Sequence, residues 1–417
     1  MQFALLYEIM KQSQLFTKTR KEAPKDEESK NAQLLIRAGY IHKEMAGVYD
    51  MLPLGLLVMN KIANIVREEM NKIGGQEVSL SALQDRNLWE KTNRWDDEVV
   101  DNWFKTKLKN DNEIGFGFTH EEPITLVMKD HIHSYKDLPR YPYQVQTKFR
   151  NELRAKSGIM RGREFLMKDL YSFSCNQEEH DNFYEKAKEA YFSIFNRVGL
   201  GDKTYITFAS GGSFSQFSHE FQTLSSAGED IVYVDKNKKI ALNKEVYSDE
   251  IISQLGLNKS ELVEEKAIEV GNIFSLGTKF SDALELTFDD EGGKKQTVIM
   301  GCYGIGIGRL MGVIDELFAD EKGIVWPESV SPFDYHIISL NKNSEAEELY
   351  NKIIKSGKTA LLDDREKGAG EKFADADLIG ITKQIVVSQK TLDAGKFEVK
   401  NRKTGEVTHL SESDILA

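Results

Sequence analysis

Residues 148–173 read KFRNELRAKSGIMRGREFLMKDLYSF. A run with strand character carries Phe-Arg-x-Glu, a basic glycine-containing loop follows, and a second apolar run opens on Arg-Glu-Phe. Too few residues separate the two runs for a crossover helix, so they pair antiparallel. Further strands are predicted over YQVQTKF (143–149), FLMKDLYSF (165–173), TYITFAS (204–210) and QTVIM (296–300). Consecutive strands of this kind predict an antiparallel sheet flanked by helices, an α+β fold and not a doubly wound one. Two helices are legible beside it. Met59–Ile73 places Ile62, Ile65, Val66, Met70 and Ile73 on one face before Gly74 and Gly75 stop it, and 181–198 does the same with Phe183, Ala187, Tyr191, Ile194 and Val198 before Gly199.

Past Pro327 and Pro332 the texture changes. DYHIISL, SEAEELYNKIIKSG, TALLDD, EKFADADLIG and KQIVVSQ alternate strand and helix, which predicts a small α/β domain over 334–417 after a larger domain over 1–333. Residues 236–266 are unusually polar and read as a short appendage between sheet segments. The N-terminal stretch is briefly apolar but carries Glu8 and lacks a basic leader, so it reads as a strand or helix entering the fold rather than a signal peptide. No run approaches a membrane span of about twenty apolar residues. Two cysteines, Cys175 and Cys302, cannot build a disulfide framework and suit a reducing, cytoplasmic setting.

A net charge of −12 argues at first against a polyanionic partner. Between Lys148 and Asp169, however, seven basic residues stand against three acidic ones, a local patch able to hold phosphate. On paired strands Arg150, Glu152 and Phe165 are expected at neighbouring positions of one face. A guanidinium, a carboxylate and a ring so placed suit the phosphate, the adenine edge and the base plane of ATP. Taken alone, the hairpin fits a solvated charged face equally well.

MGCYGIGIGRL (300–310) places glycines at 301, 304, 306 and 308 and closes on Arg309. The spacing is neither that of a dinucleotide fingerprint nor of a P-loop. Gly304, Gly306 and Gly308 are expected along one face of an extended strand, kept flat so that a ligand can lie on it. Arg309 then stands where the strand turns into the helix LMGVIDELF, in place for a γ-phosphate. The alternative is a glycine-rich strand packed tightly under a helix. FTHEEPIT (118–125) ends a strand-like run with Thr119 and Glu121 on one face, able to receive an ammonium, while Glu122-Pro123 also fits the start of a helix. SFSQFSHEFQTL (213–224) puts His219 and Glu220 on a strand, and neither CxxC nor HExxH occurs, so no zinc cage is expected.

Taken together these segments resemble the class II aminoacyl-tRNA synthetases, specifically the bacterial prolyl type. VYDMLPLGLLVMNKIANIVREEMNKIGGQEV looks like motif 1, the family's dimer element, with Pro53 in its leading place. FRNELR with REFLMKDLYSF looks like motif 2, and MGCYGIGIGR like motif 3. FTHEEPIT, GNIFSLGTKFSDAL and TALLDDREKGAGEKFADADLIGI resemble prolyl-type segments, the last in the anticodon-binding domain.

The resemblance implies that Arg150 meets the α-phosphate and the substrate carboxylate, Glu152 the adenine, Phe165 the base plane, and Arg309 the γ-phosphate. It implies that Thr119 and Glu121 receive the imino group of L-proline, that His219, Cys302 and Gly304 line its pocket, and that Glu220 is a magnesium ligand beside ATP. It also implies a homodimer through motif 1, with tRNA(Pro) read near Asp364, Arg365 and Lys372. Two departures stand out. Residues 236–266 are far too few for the large editing domain often found between segments matching GEDIVYVD and AIEVGNIF, so alanine mischarged onto tRNA(Pro) is not expected to be hydrolysed. Phe214 and Ser215 also replace a common glycine pair. The rival readings are a threonyl or seryl enzyme, a non-catalytic RNA-binding paralogue, and a nucleotide-dependent oxidoreductase.

Overall fold

The computed structural model describes residues 10–153, 155, 157–210 and 217–417. Phe214, Ser215, Arg154 and Lys156 lie outside the described residues, as does the stretch before Met10. The chain divides into two units, residues 46–48 with 62–313, and residues 1–45 with 49–61 and 314–417.

The first unit is built on a nine-stranded sheet. Its order is Phe217–Leu224, Thr204–Ser210, Ile240–Asn243, Asp230–Asp235, Val263–Gly277, Ile299–Gly306, Glu164–Ser174, Pro142–Phe149 and Gln76–Glu77. Six of these eight neighbouring pairings are antiparallel, as expected. Thr204–Ser210 with Ile240–Asn243 and the edge pair Gln76–Glu77 with Pro142–Phe149 are parallel. Phe217–Leu224 also pairs with Val263–Gly277, so five strands close a circuit around Tyr205, Val232, Val234, Ala241 and Ala267. Residues 236–266 are therefore partly woven into the sheet. Ile240–Asn243 is one of its strands, and Ile252 and Leu257 gather a small apolar cluster behind it.

The run QTVIM does not form one strand. Lys295–Thr297 belongs to a separate two-stranded ribbon, and Ile299–Gly306 enters the sheet between Val263–Gly277 and Glu164–Ser174. The helix Gln177–Arg197 covers one face, burying Phe183, Ala187, Tyr191 and Ile194, with Asn176 capping its start by accepting from the Glu179 amide. Gly271 and Gly301 let it lie close. A Cβ on Gly271 would come within 3.0 Å of Tyr191, and one on Gly301 within 2.6 Å of the Tyr303 hydroxyl. The opposite face is left for the site.

The other unit carries a six-stranded sheet in the order Met10–Lys11, Ala360–Asp363, Tyr335–Ser339, Lys383–Val387, Phe397–Asn401 and Val407–Leu410. The first three pairings are parallel and the last two antiparallel. The helices Asn343–Lys355 and Ala369–Ile379 fall where the sequence predicts them. Ile337, Leu349, Tyr350, Ile353, Leu362 and Ile385 form the core. The strand Met10–Lys11, which comes from the far end of the chain, escapes any local pattern. In the same unit Trp326 donates to the Tyr40 hydroxyl at 2.9 Å, which in turn donates to the Ile379 carbonyl at 2.8 Å.

The helix expected over Met59–Ile73 begins earlier, at Pro53, and ends at Lys72. Proline suits a first helical position because its missing N–H would have no intrahelical partner there. Ile62, Ile65, Val66 and Met70 are buried along the expected face, and Gly74 (φ 91°) ends the helix. No helix among the described residues is long and apolar enough to cross a membrane.

Candidate active site

Two neighbouring cavities open on the uncovered face of the nine-stranded sheet. The first, about 370 Å³, is lined by Arg94, Thr119, Glu121, Arg150, Cys302 and Gly304, with Phe118, Met167, Phe274 and Phe280 supplying apolar wall. The second, about 220 Å³, is lined by Arg150, Glu152, Arg161, Glu229, Asp230 and Arg309, among others. Arg150, Glu269 and Arg309 belong to both.

The two arginines reach this boundary from distant parts of the chain. Arg150 follows the strand Pro142–Phe149, its amide donating to the Arg163 carbonyl at 2.8 Å. Its guanidinium lies 5.0 Å from the Phe118 ring centre and 5.3 Å from that of Phe165. Arg309 lies in the first turn of the helix Ile307–Phe318, donating from Nε to the Met160 carbonyl at 2.9 Å and from Nη1 to the Glu269 carbonyl at 2.7 Å. Burial, and after it the charge of Arg309, hold Arg150 below the usual guanidinium range. The buried Arg150 Nε has no hydrogen-bond partner among the described residues. Two cations held together with an unsatisfied donor form a site for a polyanion.

Three expectations about local geometry need correcting. Arg150 and Glu152 lie in the loop beyond the strand, where Glu152 accepts from Arg161 at 2.9 and 3.1 Å, and not on its face. Phe165 is on its strand, opposite Lys148, and its ring meets Arg150 while lining neither cavity. Gly308 and Arg309 are helical because the strand ends at Gly306, so Gly304 and Gly306 alone keep the sheet face flat. A Cβ on Gly304 would meet Met167 at 3.5 Å, an ordinary contact, and would otherwise project into the first cavity. Gly304→Ala should therefore fold normally while raising the KM for the ligand of that cavity roughly fivefold to a hundredfold, as about 1–3 kcal/mol for a methyl-sized change implies. Equal KM values for the variant and the parent protein in steady-state kinetics would contradict this placement.

Glu121 reaches the first cavity from the opening turn of the helix Glu121–Lys129, and not from a strand shared with Thr119. The two still meet. Thr119 Oγ1 donates to Glu121 Oε2 at 2.6 Å, and Cys302 Sγ donates to Oε1 at 3.3 Å. Burial works to raise the Glu121 pKa, but Arg94 and the Thr119 hydroxyl outweigh it and keep the carboxyl below its usual range. Burial, opposed by Arg94 and reinforced by Glu121, pushes the adjacent Glu122 up to about 6. Beneath them lies a buried network that the sequence did not disclose. Lys148 Nζ approaches His120 Nδ1 at 2.7 Å and donates to Asp169 Oδ2 at 3.0 Å, while Gln144 and Tyr171 also donate to Asp169. Burial, and next the Lys148 charge, hold His120 down to about 4.

The structure does not bring His219 to either cavity. Its Nδ1 meets the Tyr184 hydroxyl at 2.8 Å and its ring packs on Phe208. Alternation along Phe217–Leu224 turns Glu220 the other way, where it accepts from Gln222 at 2.9 Å and Asn243 at 3.1 Å. Burial, and then the nearby Glu269 carboxylate, push Glu220 up to about 7. Asp230 is raised by burial and by Glu269 as well. Glu269 lines both cavities and can offer an oxygen donor to a divalent cation such as magnesium, whereas Glu220 lines neither, and among the described residues Glu220, Asp230 and Glu269 do not cluster closely enough to cage one.

In the other unit a cavity of about 630 Å³ is lined by Asn341, Asn343, Arg365, Lys367, Gly368 and Lys372, among others. Arg365 is already held by Asp363 and Asp375, and Lys372 donates to the Ser339 and Asp363 carbonyls, so both stiffen the wall. Asp364 accepts from the Ser13 amide and hydroxyl.

Comparison with known proteins agrees with this geometry. Residues 104–318 match the tRNA synthetase class II core domain (G, H, P, S and T), and residues 334–417 match an anticodon binding domain. The fold is thus that of a class II synthetase. Proline--tRNA ligases from Wolbachia sp. subsp. Drosophila simulans and Caulobacter vibrioides are 40% and 38% identical to the chain, covering 98% of it and 99% and 98% of their own lengths. The chain belongs to the proline--tRNA ligase family. The enzyme of Exiguobacterium sibiricum, 34% identical, aligns over 561 residues with 98% of each chain covered, so it carries segments for which these 417 residues have no counterpart. Prolyl-tRNA synthetase from Cryptosporidium parvum, solved with L-proline and AMP, shares the fold at a TM-score of 0.74 and 17% identity, over 93% of this chain and 73% of that one.

Proposed function

We propose that the chain activates L-proline with ATP to prolyl-adenylate and pyrophosphate, and then transfers the prolyl group to the terminal ribose of tRNA(Pro). The observation that carries this reading is the convergence of Arg150 and Arg309 between a cavity ending in a buried carboxylate and one rimmed by the motif 2 loop.

In this reading the first cavity takes proline, its secondary ammonium on Glu121 and Thr119 and its ring against the apolar wall. The second takes the nucleotide, with Glu152 at the adenine and Arg309 at the γ-phosphate. Phe165, outside both cavities, supports the Arg150 guanidinium from behind. Proline's carboxylate, already ionised at neutral pH, attacks the α-phosphorus; the bond to the bridging oxygen breaks and pyrophosphate leaves. No general base is needed. The protein's share is alignment and cancellation of phosphate charge by the two guanidinium groups. Glu269, which lines both cavities, would offer magnesium a carboxylate, and the ion when bound shields the triphosphate. A ribose hydroxyl then attacks the prolyl carbonyl and AMP departs.

Residues 1–333 would form the catalytic domain and 334–417 the anticodon-binding domain, within a cytoplasmic homodimer paired through motif 1. ATP–pyrophosphate exchange with proline, alanine, cysteine, threonine and serine tests the reading. Proline should support the fastest exchange, and a preference for threonine or serine would overturn it. With only 236–266 in the place of an editing domain, Ala-tRNA(Pro) incubated with the protein should decay no faster than in buffer, and brisk deacylation would contradict this.

A further inference from the structure

We propose that Arg94 is a positioning residue of the amino-acid cavity, balancing Glu121 and Glu122 so that this group of three presents a single net negative charge to the cationic imino group of proline. The inference rests on the assignment of proline to this cavity and deepens it.

The residue reaches the site through a specific turn. The short helix Arg86–Glu90 runs out through Lys91 and Thr92, and Asn93 then takes a left-handed conformation with φ 57°. The Asn93 amide donates to the Glu90 carbonyl at 3.1 Å and the Arg94 amide to the Trp89 carbonyl at 3.1 Å. That double bond pattern is a Schellman closure, and asparagine is the usual alternative to glycine at its left-handed position. The closure turns the Arg94 side chain back over its own helix, its guanidinium 4.8 Å from the buried Trp89 ring centre and 5.4 Å from that of Phe280.

From there Arg94 Nη1 donates to Glu122 Oε1 at 3.0 Å and Oε2 at 3.1 Å, and meets Glu121 Oε2 at 3.4 Å. Thr92 from the same turn donates to Glu122 Oε1 at 2.8 Å. Both carboxylates are buried, at 7% and 0% exposure. Adjacent buried carboxylates without a cation would retain a proton between them. A cation engaging both lets the pair ionise while leaving one negative charge over. The imino nitrogen of proline is a cation at neutral pH; a proton shared between the carboxylates would occupy the Glu121 oxygens that receive it, and a neutral site would lack the charge that holds it. Around Glu121 the other charged or titratable groups are Cys302 on its strand, Lys148, Arg150 and Asp169 from the motif 2 hairpin, Tyr171, and His120 one residue before it.

The test is a charge-swap cycle read by proline-dependent pyrophosphate exchange between pH 6 and 8.5. Arg94→Met should raise the KM for proline at least tenfold at pH 7 and leave the KM for ATP within twofold. Its proline KM should fall as the pH rises and the shared proton leaves, whereas the parent protein's stays flat above pH 7. Glu122→Gln, which leaves the site neutral, should raise the proline KM about fivefold. The double variant Arg94→Met/Glu122→Gln restores one net charge and should return within threefold of the parent, an outcome a merely structural role cannot produce. Should Arg94→Met fail to fold, the Glu122→Gln single and the double variant still give the comparison. A proline KM unmoved by Arg94→Met, an equal rise for ATP, or a double variant no better than the singles overturns the inference. Absence of proline-dependent exchange in the parent protein would instead overturn the assignment of the cavity.

Discussion

Arg309→Ala should lower the rate of proline-dependent ATP–pyrophosphate exchange by about a hundredfold to a thousandfold, corresponding to about 2.7–4 kcal/mol for a lost transition-state donor in a preorganised site. The side chain has two functions that the substitution removes together. One is charge beside Arg150, facing the triphosphate. The other is support, since Nε and Nη1 donate to the Met160 and Glu269 carbonyls. Arg309→Lys separates them, because it keeps one positive charge but not the fork that reaches two carbonyls. The lysine variant is expected between the alanine variant and the parent in rate. Exchange within threefold of the parent for Arg309→Ala, in a protein that still melts cooperatively, would remove this residue from the chemistry.

The second large effect is expected at Glu121. Glu121→Gln preserves shape and an acceptor for the Thr119 hydroxyl, but deletes the buried charge that receives the imino group. Truncating one partner of a buried charged hydrogen bond costs about 2–5 kcal/mol, roughly thirtyfold to several thousandfold in kcat/KM for proline. The KM for ATP should stay within a few-fold, because the nucleotide occupies the neighbouring cavity. A loss shared equally by both substrates would place Glu121 in the fold and not in proline recognition. The sign of the pH dependence follows from its depressed pKa. Glu121 is ionised throughout the neutral range and loses its charge only as the pH falls through its lowered folded value. Any contribution to stability from its ion pairing is likewise present above its ordinary pKa and lost on acidification.

The antiparallel frame of the catalytic unit was legible because its signals are local. Alternation over 143–149 and 165–173 and a turn-sized basic loop suffice to define the hairpin, which runs Pro142–Phe149 and Glu164–Ser174. Strand-to-helix junctions were less legible. Gly308 continues an every-second glycine pattern that Arg309 closes, yet the chain turns helical at Ile307, where apolar residues begin to recur with helical spacing. Thr119 and Glu121 failed similarly: two residues apart reads as one strand face, but Glu121 opens a helix and the contact comes from the turn.

His219 shows a different limit. Alternation places His219 and Glu220 on opposite faces, but which face meets the cavity depends on the pairing of Phe217–Leu224 with two other strands. Arg94 was missed although a signal existed. Asparagine three residues past the end of a short helix marks a left-handed closure, and an arginine after it is redirected toward whatever the turn faces. That this is Glu121 and Glu122 follows from tertiary packing, as does the Lys148–His120–Asp169 network.

The most direct test is a crystal structure with ATP and the non-reactive alcohol analogue of proline. The account predicts one bent triphosphate within hydrogen-bonding reach of both Arg150 and Arg309, with the ring nitrogen of the analogue against Glu121. A nucleotide touching only one of the two arginines, or an analogue bound away from Glu121, would contradict it.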